Sequence, residues 1–182
     1  MTASTEPPGP RRYSPGVAPT DRGRGLLLLL SLGLVLACGG GSGPTAPVGP
    51  AVAEVEQRSF SLLNGARAAA GVTPAFGLDP DVARVARRHS ESMRDHGFFG
   101  HRDPEGRTLE QRLAEAGISY RGAAENLARV VGAADPAAWA HEQLLASTEH
   151  RQNILNGGFE LAGVGVARQG DGYWITQVFL KR

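Results

Sequence analysis

The sequence predicts an α+β fold, with several helices packed on a small antiparallel sheet. Three observations carry this. Apolar residues recur at helical spacing from about Ala51 onward, two Asp-Pro pairs mark helix starts, and the period shifts to two near the C-terminus.

Each element has its own signal. Val52, Val55, Leu62, Leu63, Ala66 and Ala69 can share one broad helical face, and Gly71 offers a left-handed stop. Residues 73–78 read as an extended link, because a residue before proline avoids the helical region. Asp79-Pro80 supplies an N-cap and a proline at the first helical position, and Val82, Val85, Ala86, His89 and Met93 follow at helical spacing until Gly97. Thr108 and Gln111 have capping-box spacing, with Leu113 and Ala114 expected inward and Gly117 as the stop. Residues 118–124 read as a loop leading to Glu125. Asp135-Pro136 opens a helix through Trp139, Leu144 and Leu145, and a short helix from Glu149 to Leu155 ends at Gly157-Gly158. The rest is a β-hairpin. Gly163-Val164-Gly165-Val166 alternates, residues 169–172 make the turn, and Tyr173 to Leu180 is β-branched and aromatic.

The N-terminal part is different material. Residues 1–25 are rich in Pro, Gly, Ser and Thr and carry four arginines, and an uncharged, mainly apolar run at 26–37 leads to Cys38. A basic region, a short apolar region and a small residue at the cut describe a secretory signal over residues 1–37. The run is shorter than the roughly 20 residues needed to span a bilayer comfortably. Leu-Val-Leu-Ala-Cys resembles a bacterial lipobox, in which Cys38 is lipidated and becomes the new N-terminus; the alternative is an ordinary signal whose cysteine is incidental. Residues 38–50 form a flexible Gly/Pro linker to a domain at 51–182. This predicts an exported protein, lipid-anchored to the cell membrane or an outer membrane, with its domain extracytoplasmic. Cys38 is the only cysteine, so the domain holds no internal disulfide and is stabilised by packing. A net charge of +1 argues against a nucleic-acid partner, which calls for a basic stripe.

The groups able to do chemistry cluster in three short motifs: Phe98-Phe99-Gly100-His101, Glu125-Asn126, and Ser147 to Leu155 with Glu149 and His150 inside it. Neutral imidazoles are common zinc ligands, and a nearby carboxylate can orient an imidazole or take a proton from bound water. The alternative is that His150 and Glu125 only join loops by hydrogen bonds. His89 lies on an apolar helix face and reads as a hydrogen-bonded structural imidazole, outside the site.

The order and spacing of these motifs, together with Leu63-Asn64-Gly65-Ala66-Arg67, the segment from Ala86 to Met93, and the two closing strand motifs, resemble the CAP superfamily in its small bacterial form. The resemblance runs from about Ala53 to Phe179 and implies an α-β-α sandwich with a central cleft. It implies His101 and His150 as cleft histidines able to bind zinc or another divalent cation, Glu125 as the cleft carboxylate and Glu149 as a second one. Ala124, where the family usually has glycine, and Leu144-Leu145, in place of a tryptophan pair partner, depart from its pattern.

Two protein ligands are fewer than the three of a usual catalytic zinc site, and no serine or cysteine nucleophile stands beside a base. The leading expectation is therefore a membrane-tethered binding or interaction module for an unidentified ligand or envelope protein. The alternative is a metal-assisted hydrolase of peptide or cell-wall material, with Glu125 as the catalytic base.

Overall fold

The computed structural model describes residues 49–182. The signal, Cys38 and all but the end of the linker lie outside the described residues. The elements in order are α1 (Val52–Ala69), β1 (Gly77–Leu78), α2 (Pro80–His96), α3 (Leu109–Glu115), β2 (Gly122–Val131), α4 (Pro136–Ala146), α5 (Thr148–Leu155), β3 (Leu161–Gln169) and β4 (Gly172–Lys181). Among the described residues, no helix is long and apolar enough to cross a membrane.

The helix boundaries follow local chemistry. The Asp79 carboxylate accepts from the Asp81 and Val82 amides ahead of Pro80, and the Asp135 side chain accepts from the Ala138 amide beside Pro136. Gly97 closes α2 at φ 68°, the left-handed conformation that glycine adopts without strain. Thr108 and Gln111 form the reciprocal capping box of α3.

The four strands form one sheet in the order β1-β3-β4-β2. β3, β4 and β2 pair antiparallel, and the two-residue β1 adds a parallel edge, so the sheet is mixed. Because strand side chains alternate, the central strand β4 feeds two cores. Tyr173, Ile175 and Phe179 of β4 join Ala128, Val130, Val164 and Val166 under α1, α4 and α5. Val178 and Leu180 point the other way, against α2 and α3. The result is an α-β-α sandwich.

The alternation in β3 explains its glycines. A Cβ on Gly163 would collide with the backbone at Ala83, and one on Gly165 with the backbone at Arg87, so α2 lies directly on β3. Ser90 Oγ donates to the Gly165 carbonyl at 2.9 Å and pairs with Thr176 Oγ1 at 2.8 Å, tying α2 to both hairpin strands.

Three local expectations are corrected. The stretch before Glu125 is already strand from Gly122, because ten consecutive residues of β2 find partners on β4. Ala114 is exposed, and α3 turns Leu109, Arg112 and Leu113 inward, as spacings of three and four require. The buried face of α1 is narrower than expected and partly polar: Val55, Ser59, Leu63 and Arg67 at intervals of four.

Candidate functional site

The site is organised by the edge strand β2. Neighbours on a strand face opposite ways, so Glu125 points toward α2 and α3 while Asn126 points toward α5. Each anchors one histidine motif, and the paired residues Glu125-Asn126 address both layers of the sandwich at once.

On the first side, the Glu125 side chain is only 4% exposed and both of its oxygens are occupied. Oε1 accepts from His101 Nδ1 at 2.9 Å, and Oε2 accepts from Arg112 Nη2 at 2.8 Å. A carboxylate only accepts, so His101 carries a hydrogen on Nδ1, and in the neutral ring Nε2 keeps the free electron pair. The His101 side chain is 60% exposed, which leaves that nitrogen open to the outside. Beside it lies a shallow depression of about 270 Å³ lined by His101, Thr108, Leu109, Ala124 and Glu125.

The loop that presents His101 is pinned from below. His89 Nε2 bonds the Gly100 carbonyl at 2.9 Å and lies 4.0 Å from Glu125 Oε1. The carbonyl accepts, so His89 donates through Nε2. Burial pushes its pKa below the ordinary imidazole value; Glu125 opposes this shift and Arg112 reinforces it. Phe98 packs edge-on against the His89 ring with centroids 5.9 Å apart, and Arg112 Nη2 also reaches the His101 carbonyl at 3.3 Å.

On the second side, Asn126 Nδ2 donates to the His150 carbonyl at 3.1 Å and to Gln177 Oε1 at 3.3 Å, while Asn153 Nδ2 donates to Asn126 Oδ1 at 2.9 Å. This network fixes the start of α5 and with it His150. Burial lowers the His150 pKa, a charge on His101 lowers it further, and Glu149 raises it. The two imidazoles therefore sense each other electrostatically. His150 Nδ1 is buried without a hydrogen-bond partner.

The structure thus brings His101 and Glu125 into contact and places His150 within electrostatic reach of His101. Glu149 is exposed in the first turn of α5, where it meets the helix dipole favourably and makes no hydrogen bond or ion pair among the described residues. Among the described residues, no three His, Cys, Asp or Glu side chains form a cluster able to enclose a metal ion. Arg112 escaped the sequence reading, while Asn153 and Gln177 lay inside its motifs without a role assigned. For Arg112 a signal existed: it sits three positions after Leu109 and beside Leu113, on the inward face of a short helix.

A three-layer α-β-α sandwich with histidine motifs anchored on the two faces of an edge strand defines the class of protein. Residues 60–179 match the family described as CAP: Cysteine-rich secretory protein family, and the chain belongs to it. Its sequence is 33% identical over 133 residues to the uncharacterized protein YkwD of Bacillus subtilis, covering 71% of this chain and 48% of that one. It is also 33% identical over 129 residues to the uncharacterized membrane protein YlbC of the same organism, covering 70% and 34% respectively. The chain therefore spans about half or less of the length of these relatives. Among solved structures, an extracellular SCP-domain protein from Bacillus anthracis superposes with a TM-score of 0.65 at 32% identity, covering 71% of this chain and 41% of that one. An outer surface protein from Borrelia burgdorferi superposes with a TM-score of 0.66 at 17% identity, covering 75% and 99%, a likeness of fold alone.

Proposed function

We propose that the protein is an extracytoplasmic, membrane-tethered binding module whose cleft takes up a divalent cation such as zinc between His101 Nε2 and His150. The observation that carries this reading is the Arg112–Glu125–His101 chain. A buried guanidinium holds a buried carboxylate, which in turn fixes the tautomer and orientation of an exposed imidazole. That is how a protein prepares a histidine to ligate. The donor set suits an open, exchangeable site: two imidazoles with solvent or a ligand oxygen completing the shell. His150 Nδ1 has no orienting partner, which favours modest affinity.

Glu125 is poorly placed as a hydrolytic base, since each of its oxygens already accepts a charge-assisted hydrogen bond. This favours binding over hydrolysis. Export is supported by the extracellular description of the Bacillus anthracis protein, and anchoring by the lipobox-like Cys38.

Calorimetric titration of the protein with zinc tests the cleft. Saturable binding should appear and be lost in His101→Ala/His150→Ala; absence of binding to the unaltered chain would overturn the metal reading. For the anchor, Cys38→Ala should move the protein from the membrane fraction to the soluble one, and its retention on membranes would exclude lipidation at Cys38.

A further inference from the structure

The sequence contains two Asn-Gly dipeptides, Asn64-Gly65 and Asn156-Gly157, and the fold treats them in opposite ways. Asn64 lies within α1, and both ends of its amide are engaged by the backbone of Phe76: Nδ2 donates to the carbonyl at 3.1 Å and Oδ1 accepts from the amide at 2.7 Å. Asn156 stands in the connection between α5 and β3, exposed, and is followed by two glycines. Its Oδ1 accepts from the Gly158 amide at 2.8 Å, an Asx turn that folds the carboxamide back along the chain and polarises its carbonyl. The Gly157 amide donates no hydrogen bond among the described residues.

We propose that Asn156 is a site of spontaneous deamidation. The Gly157 backbone nitrogen attacks Asn156 Cγ, forming a new C–N bond and closing a five-membered succinimide. The side-chain nitrogen leaves as ammonia, carrying the proton lost by Gly157. Water then opens the ring at either carbonyl to give aspartate or isoaspartate, so the net change is amide plus water to acid plus ammonia, with no redox step. Glycine at the second position removes the Cβ that would hinder ring closure and leaves the backbone free to reach the attacking geometry. Asn64 also precedes a glycine, but there the helix holds the backbone and Phe76 holds the side chain.

The position gives the reaction a structural consequence. The Asn156 carbonyl accepts from Arg67 Nη1 at 2.9 Å, and the Ile154 carbonyl accepts from the same nitrogen at 3.1 Å. Isoaspartate reroutes the main chain through the former side chain and lengthens it by one methylene at this point. That displaces an acceptor of the buried Arg67 at the C-terminal end of α5, the helix that carries His150. Conversion to either acid also adds one negative charge to a chain whose net charge is +1.

The test is incubation of the intact purified chain at mildly alkaline pH, followed by peptide mapping with an enzymatic isoaspartate readout. Acid and isoaspartate should accumulate at Asn156 while Asn64 stays an amide. Gly157→Ala should slow the conversion markedly, and it should fold normally: its φ lies outside the left-handed region, and the added Cβ would meet only Thr73 O and Val72 Cγ1, both at 3.9 Å. The proposal is overturned if Asn156 remains intact while a synthetic peptide spanning residues 152–160 converts, if Asn64 converts at the same pace, or if Gly157→Ala converts like the parent.

Discussion

Two arginines lie almost wholly inside this domain, and they are held in different ways. Arg67 is fully buried, and all five of its N–H groups are used: Nε and Nη2 on the Pro74 carbonyl, Nη2 also on Phe159, and Nη1 on Ile154 and Asn156. None of these partners is a carboxylate, and the Phe76 ring sits 3.9 Å from the guanidinium carbon. Arg112 spends only Nη2, on Glu125 and the His101 carbonyl, and its Nε and Nη1 are buried without a hydrogen-bond partner. A guanidinium saturated by main-chain carbonyls is a clamp on the fold, here joining α1 to both ends of the α5–β3 connection. One with unspent donors and a single buried carboxylate serves that carboxylate, and through it His101.

The sharpest way to break the comparison is to remove the clamp. Arg67→Met leaves four carbonyls with lost or weakened partners in the interior, each worth about 1–3 kcal/mol when buried and unsatisfied, though not additively. The expected loss is about 4 kcal/mol or more in denaturant unfolding. A loss below about 1 kcal/mol would show that the connection relaxes without it.

Arg112→Met should cost somewhat less, about 3 kcal/mol, for removing one member of a buried pair leaves an uncompensated charge. Its signature is rescue. Arg112→Met/Glu125→Gln should be more stable than Arg112→Met alone, since the stranded carboxylate is gone, whereas Glu125→Gln should not improve Arg67→Met. If the cycle shows no coupling between Arg112 and Glu125, the pair is not the unit described here. If the protein takes up zinc as proposed, Arg112→Met should also weaken that binding, by loosening the orientation of His101.

The contrast between the arginines also marks what the sequence could reveal. Caps, stops and the terminal hairpin depend on neighbours in the chain, and Asp79-Pro80, Gly97, Thr108 with Gln111, and the turn at residues 169–172 were legible. The motif order around His101, Glu125 and His150 pointed to the family. What stayed hidden depends on distant partners. Strand β2 carries Glu, Asn and Arg among alanines and shows its nature only when laid against β4. Arg67 reads as one more polar helix position until carbonyls 87 to 92 residues away converge on it. Arg112 needs Glu125 across a loop, and the two-residue β1 needs β3.

The smallest expected effect concerns pH. The partners of Arg67 do not titrate, while the surroundings of Arg112 do. His89 is held neutral chiefly by burial; Glu125 and Asp103 raise its pKa, and Arg112 lowers it further. The folded state therefore binds a proton at His89 less readily than the unfolded chain, whose imidazole titrates near the ordinary 6.5. Stability rises with pH wherever the unfolded state holds more protons, so this contribution is intact above that value and is lost as pH falls below it. His150 and His141 shift in the same direction and add to the slope. His89→Gln keeps a donor for the Gly100 carbonyl and removes the titration. Its unfolding free energy should fall less steeply below about pH 6.5 than that of the parent, by up to about 1.4 kcal/mol per pH unit. Arg67→Met should keep the parental slope at a lower overall stability. Equal slopes for His89→Gln and the parent would mean that His89 is not held neutral by the fold.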